Sequence, residues 1–270
     1  MDRSIKDIIR LRRSVRTYNA EAVRSEDMKK LEDFISALDD PFGVPVEYRF
    51  LNAKEHGLSS PVIVGEKMYL GAKAKKGPFC EIAVGYGLER VMLYALSLGI
   101  GSVWIAGTMD RPGFEKAMDV KNDELMPAVT PIGYIAEKMS VRETVMRKGV
   151  KADERLDFGE LFFEGGLTKP LGKGGRFDSA LEAVRLAPSA VNKQPWRVAV
   201  CGNAVHFYEK HSKGMAARAF DVQLVDMGIA LAHFVLAAKE DGINGRLVAT
   251  DPKIVTRDDT DYIMTFVADE

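Results

Sequence analysis

Arg12, Arg13 and Arg16 crowd around Ser14 in the stretch RRSVR. A guanidinium presents a planar fork of donors that fits a phosphate or carboxylate through two parallel charge-assisted bonds. Each such bond contributes about 1.5–3 kcal/mol. The set could hold an anionic ligand, or it could be a solvated basic helix end favoured by the C-terminal dipole. A second stretch, APSAVNKQPWRV at 187–198, carries Asn192 and Gln194 between two prolines. Each amide offers a donor and an acceptor on one side chain. Pro188 and Pro195 stiffen the backbone and remove two N–H donors. The stretch reads as a rigid holder for two amides. No nucleophile or metal-ligand spacing accompanies it. His56, His206, His211 and His233 make no HxxH or HExxH pattern, and Cys80 and Cys201 read as reduced core thiols. No GxGxxG follows a strand, so no Rossmann site is expected.

These residues need elements to position them. Asp2 to Leu11 predicts an amphipathic helix with Ile5, Ile8 and Ile9 on one face. A second helix runs from Ser25 to about Leu38, with Glu26 and Asp27 in its first turn. Val46–Leu51 and Pro61–Val64 read as strands. Phe79–Leu98 reads as a long helix, Val103–Ala106 as a strand, Arg111–Met118 as a short helix and Ala128–Ile135 as a strand. Residues 140–176 mix charge with glycines and read as a linker. The chain then begins again: a helix at Phe177–Leu186, strands at Trp196–Cys201 and Val205–Tyr208, and a helix at Val222–Lys239. Strands at Gly245–Thr250 and Tyr262–Val267 close it. The Val222 helix is apolar nearly all round and should lie buried.

The second half carries a faint copy of the first. Gly85 and Gly99 bracket a helix ending LGIG, and Gly228 and Gly242 bracket one ending DGING. Both pairs are offset by 228 − 85 = 143, and Ile100 and Ile243 share that offset. Each bracketed helix follows a helix and two strands. We expect two α+β halves, residues 1–164 and 165–270, packed about a pseudo-twofold axis as a dimer fused into one chain.

The chain has 270 residues, 46% hydrophobic and 29% charged, with a net charge of −1. That balance is ordinary for a globular protein and argues against a nucleic-acid or polyanion partner. No run of 18 apolar residues predicts a membrane span, and the opening MDRSIKDIIR is unlike a signal peptide, so the cytoplasm is the expected compartment.

RRSVRTY, APSAVNKQPW, the glycine-bracketed apolar helix and TPIGY at 130–134 together resemble the FMN-dependent nitroreductase family. The most specific of these is the APSxxNxQPW pattern. The arrangement resembles the family's duplicated single-chain, putative TM nitroreductase-like branch. Ordinary members carry both motifs in one subunit and bind flavin at a homodimer interface. Here RRSVR lies in the first half and APSAVNKQPW in the second. The resemblance implies a nitroreductase-like α+β fold with one complete FMN site between the halves. The mirror site should be missing, because LDDPFGVPVEY and KPLGKGGRF stand where the two motifs would be needed.

Carried over motif by motif, Arg12 and Ser14 resemble the positions that hold the FMN phosphate and adjoining ribityl chain, with Arg13 beside them and free to point away. Arg16 matches the basic position near the pyrimidine side of the ring. A cation there stabilises negative charge that grows on reduction. Pro188, Ser189, Asn192 and Gln194 resemble the turn that meets the flavin from the other side, while Trp196 packs beneath that turn. VWIAG at 103–107 resembles the segment whose Gly107 N–H approaches flavin N5, with Ala106 replacing an acidic residue of some members. RLDFGELFF at 155–163 resembles the family's closing RKPLEELV. Arg155 would be a second phosphate ligand, although Leu156 replaces the lysine; a surface charge is the other reading.

The resemblance implies an oxidoreductase passing two electrons from NADH or NADPH to a small-molecule acceptor such as a nitroaromatic or quinone. The flavin carries the chemistry, and the protein supplies no acid, nucleophile or metal beyond electrostatic support from Arg16. A non-catalytic flavin-binding sensor or store is the alternative. A fused pseudo-dimer needs no partner to complete its site, so a monomer is the simplest expectation and a homodimer the other.

Overall fold

The computed structural model describes residues 3–212, 220–254 and 259–269. Asp2, the expected start of the first helix, lies outside them. The elements are α1 (Ile5–Leu11), α2 (Ser25–Ser36), β1 (Val46–Asn52), α3 (Ala53–His56), β2 (Met68–Lys75), α4 (Cys80–Ser97), β3 (Ile100–Ser102), α5 (Arg111–Ala117) and β4 (Glu124–Tyr134). There follow α6 (Val141–Gly149), α7 (Phe158–Leu161), β5 (Phe162–Glu164), α8 (Asp178–Leu186), a 3-10 turn (Ala190–Asn192), β6 (Trp196–Cys201), β7 (Ala204–Lys210), α9 (Val222–Glu240), β8 (Gly245–Val248) and β9 (Thr260–Ala268).

The strands form two sheets, ordered β1-β2-β4-β3 and β5-β6-β7-β9-β8. Setting β5 aside, the second sheet repeats the order of the first. The same succession of helix, two strands, long helix and two strands builds each. The fold is thus α+β, with two tandem halves in an intramolecular pseudo-dimer. At its centre α4 crosses α9. Gly85 and Gly228, the pair offset by 143 residues, meet at the crossing: a Cβ on Gly85 would stand 2.2 Å from the Val225 carbonyl, and one on Gly228 2.2 Å from the Ile82 carbonyl. The other repeated pair, Gly99 and Gly242, ends both helices at φ +79° and +75°, a conformation glycine adopts without cost.

Each face of α4 has its own partner. Val84, Leu88, Val91 and Ala95 pack on the first sheet, whereas Ile82, Tyr86 and Leu93 join the core of the second half. The apolar helix α9 is buried along most of its length, as its all-round hydrophobicity predicts. By length and composition it could cross a membrane, but here it is the core helix. The halves also exchange elements. Ile8 and Ile9 of α1 lie in the core around α8 and α9, and β5 runs parallel beside β6.

Three local expectations are corrected. Pro61–Val64 is not a strand; Val64 makes one bridge with Thr17, and the strand beside β1 is β2. Lys73 disguises β2 in the sequence: it is buried mid-strand, held by Glu47 at 3.3 Å and Glu124 at 2.8 Å. Val103–Ala106 is not a strand either, because β3 ends at Ser102 and Ile105 makes a single bridge to Val129. Residues 140–176 are not a bare linker but contain α6, α7 and β5. Ser140 caps α6 by accepting from the Glu143 N–H at 3.2 Å, and Glu143 is completely buried.

Candidate functional site

The two arginine-bearing and amide-bearing stretches come together across the pseudo-dimer. Between them lies a cavity of about 310 Å³, a size typical of small-molecule sites. Arg12, Ser14, Arg16, Ala106, Gly107, Arg155, Pro188, Ser189 and Asn192 all line it. Arg13 and Gln194 do not.

The RRSVR segment leaves α1 extended, with Arg12 as its C-cap. The Val15 N–H donates to the Ser102 carbonyl at 3.0 Å, which ties the segment to β3. Glu143 of α6 then fixes its direction. The carboxylate accepts from the Arg16 N–H at 3.1 Å, from the Thr17 hydroxyl at 2.8 Å and from Arg13 Nη1 at 2.9 Å. Arg13 is therefore turned toward α6, away from the cavity. Glu143 was invisible to the motif reading because its partners lie over 120 residues away.

The APSAVNKQPW turn is held in a rare backbone shape. Val191, Asn192 and Gln194 have φ of +44°, +58° and +49°. Such values are strained for a β-branched residue and collect at functional sites. Three hydrogen bonds compensate. The Gln194 N–H donates to Ser189 Oγ at 2.8 Å, the Asn192 N–H donates to the Ser189 carbonyl at 3.0 Å, and the Ala190 N–H donates to the Asp226 carboxyl at 2.9 Å.

The two amides grip the chain that carries Arg155. Asn192 Nδ2 donates to the carbonyls of Lys151 at 2.8 Å and Glu154 at 3.0 Å, and Gln194 Oε1 accepts from the Leu156 N–H at 3.0 Å. Arg155 completes the clasp by donating to the Leu186 carbonyl at 3.2 Å. Gln194 thus acts behind the wall, while Asn192 both braces the wall and faces the cavity. Trp196 is wholly buried beneath the turn.

The electrostatics of the cavity are lopsided. Neither Arg12 nor Arg16 has a side-chain hydrogen bond or ion-pair partner among the described residues, and Arg12 Nε, Arg16 Nη1 and Arg155 Nε are buried and unpaired. Burial lowers the pKa of all three; Arg155, with Arg12 and Arg185 nearby, is pushed down to about 10. Buried cations without counter-charges are costly, and an anion among them would relieve that cost. Past Arg12, Ser14 and Arg155 the space continues into a recess of about 190 Å³, where Arg10, Arg13 and Arg147 join the wall. Those three already face carboxylates: Asp7, Glu143 and Asp153 respectively.

Three cavity or cavity-side residues escaped the sequence reading. Arg147 lies on a helix inside the expected linker. Trp104 lines the cavity and donates its indole N–H to Glu89 at 2.7 Å. Glu89 in turn meets His233 at 2.9 Å, and the pair is fully buried between α4 and α9. Asp226 of α9 is the one acid on the cavity wall among the described residues.

The fold matches known proteins. A family model described as Putative TM nitroreductase covers residues 4–238. Among solved structures, the chain is similar to a putative nitroreductase from Thermotoga maritima, at 19% identity and a TM-score of 0.65, over 99% of this chain and 94% of that one. Half-length similarities include a nitroreductase with bound FMN from Bacteroides fragilis, at 16% identity and a TM-score of 0.42, over 52% of this chain and 92% of that one. An FMN-dependent nitroreductase from Clostridium difficile gives 18% and 0.42, over 52% and 94%. A search of curated proteins found no match.

Proposed function

The chain belongs to the Putative TM nitroreductase family, and from that premise we propose that it is an FMN-dependent oxidoreductase with one flavin site between its two halves. The observation that carries this reading is the pair of guanidiniums of Arg12, half-buried, and Arg16, buried, each with a buried unpaired nitrogen among the described residues and both on a cavity shared by both halves. They fit a ligand that is anionic at one end and becomes anionic on reduction at the other, as FMN is.

Bound FMN would supply hydride chemistry between a reduced nicotinamide and a conjugated acceptor such as a nitroaromatic or quinone. The protein's part is positioning and charge. Arg12, Ser14 and Arg155 would hold the phosphate, with the guanidinium of Arg147 adding positive potential from the recess. Arg16 would face the pyrimidine side and favour the reduced, negatively charged ring. Ala106 and Gly107 offer backbone at the wall, and the Pro188–Asn192 turn closes the opposite side. The wholly buried Glu143 keeps the arginine segment in register for this task.

An anaerobic titration of the purified chain with FMN, then NADH, then NADPH, tests the reading. The expected result is saturation at one FMN per chain and bleaching of the flavin absorbance by at least one nicotinamide. Binding without bleaching would leave a flavin sensor or store. No binding would overturn the reading.

A further inference from the structure

Among the described residues Asp226 is the only acidic one lining the cavity, and it is 3% exposed. Its carboxyl has a single hydrogen-bond partner among the described residues, the Ala190 N–H, at 2.9 Å from Oδ1 and 3.1 Å from Oδ2. No lysine, arginine or histidine pairs with it. A carboxylate there would be a buried anion with one neutral donor, an arrangement that favours the protonated acid. The nearest acids act the same way. Burial is the largest influence raising its pKa well above the ordinary carboxylate range, and Glu209 of β7 and Asp221 at the start of α9 add to it. His211 tempers Glu209, which burial nevertheless lifts to about 7. Across the cavity stand Arg12, Arg16 and Arg155, which do not touch Asp226 but would stabilise the anion left after it gives up a proton.

We infer that Asp226 is a proton donor to the electron acceptor in this cavity. The inference rests on the flavin reading above and goes beyond it, because the family resemblance implies no acid from the protein.

The stoichiometry needs one proton besides the hydride, and Asp226 is placed to supply it. A nitro group receives one hydrogen nucleus and two electrons as hydride from the reduced cofactor. One further proton comes from the Asp226 carboxyl. One N–O bond breaks, the oxygen leaves as water, and a nitroso product remains. A quinone takes the same hydride and the same proton to become a hydroquinone, with no bond broken. In both cases the carboxylate is reprotonated from solvent, and atoms and charge balance.

The bland alternative is that Asp226 only anchors the turn through Ala190. Asp226→Asn separates the two, since its amide oxygen still accepts the Ala190 N–H but cannot deliver a proton in this way. Stopped-flow kinetics would follow the two half-reactions, with FMN affinity measured alongside. The expected result is FMN affinity within about two-fold of wild type, flavin reduction by nicotinamide within about three-fold, and reoxidation by nitroaromatic or quinone slowed about 100-fold, the lower end for general acid catalysis. A readout independent of turnover is the infrared difference between ligand-free wild type and Asp226→Asn at pH 7: a protonated-carboxyl band should remain in the difference, from which the Glu209 contribution common to both cancels. Equal reoxidation rates, a uniform loss in both half-reactions and in FMN binding, or no such band would each overturn the proposal. If wild-type protein fails to bind FMN, the parent reading falls and this one with it; if wild type turns over and the variant matches it, only the role of Asp226 falls.

Discussion

Two cavities lie beside the crossing helices, one lined by α9 and the other by α4, and their linings differ in charge. The candidate site presents Arg12, Arg16 and Arg155 with a single acid among the described residues, Asp226. The cavity on the other side, about 340 Å³, is formed by the loop between α2 and β1 together with Ala83, Tyr86 and Gly87 of α4. It presents Asp39 and Asp40 and no basic residue among its lining. The repeat makes the comparison direct: with the offset of 143, Asp226 corresponds to Ala83. The turn that Asp226 anchors is also absent from the first half. There the loop drops Phe42 onto Tyr86, edge to face at 5.3 Å, and near Phe79 at 6.4 Å. The two halves therefore share a frame but not a site. What distinguishes them is a few side chains that no pseudo-symmetry demands.

The largest expected effect comes from the contact that holds the halves in register. His233 Nδ1 lies 2.9 Å from the Ala183 carbonyl, which can only accept, so that nitrogen carries the proton. Its Nε2 meets Glu89, and both side chains are fully buried. Removing His233 leaves the buried Glu89 with only the Trp104 indole N–H as partner, and breaking such a pair typically costs about 3–5 kcal/mol. His233→Ala should lower the denaturation free energy by that amount in a urea titration. A loss below about 1 kcal/mol would mean that the two halves do not depend on this pair.

Next in size is the contrast between neighbouring arginines. Arg12→Ala should weaken FMN binding about 10–100-fold, the equivalent of about 1.5–3 kcal/mol for a charge-assisted contact. Arg13→Ala should leave FMN affinity within a few-fold, since its guanidinium is engaged with Glu143. Isothermal titration on both variants reads the difference directly. Similar losses for the two would place the phosphate elsewhere.

That contrast also shows how far the sequence could be read. The frame was legible because Gly85 and Gly228 must be small for two helices to touch, and because Gly99 and Gly242 end those helices with positive φ. Both demands leave single-residue marks at fixed spacing. The cavity's arginines were legible as a motif. The side chains that aim them were not. Glu143 looked like one charge among many in a polar stretch, and only tertiary contact shows it gripping residues 13, 16 and 17. Gln194 belongs to the most specific motif, yet its amide faces the backbone of Leu156 rather than the cavity. Motif membership marks a neighbourhood; it does not say which way a side chain points. Lys73 hid a whole strand for a related reason, since a charge paired inside a sheet looks like a surface residue until its partners are known.

The smallest expected effect tests why the mirror cavity differs. Either Phe42 merely fills space that a flavin could use, or the wall lacks the charge to hold one. Phe42→Ala separates these possibilities. Removing the ring takes away its contacts with Tyr86 and Phe79 and enlarges the cavity, at a cost in stability of about 1–3 kcal/mol for a half-buried aromatic. It adds no cation to the lining, where Asp39 is paired with Arg90 at 2.6 Å and Asp40 remains to repel a phosphate. FMN should still saturate at one per chain, with affinity within about two-fold of wild type. A second equivalent in the Phe42→Ala titration would show that packing alone closed the mirror cavity, and that charge does not set the difference between the halves.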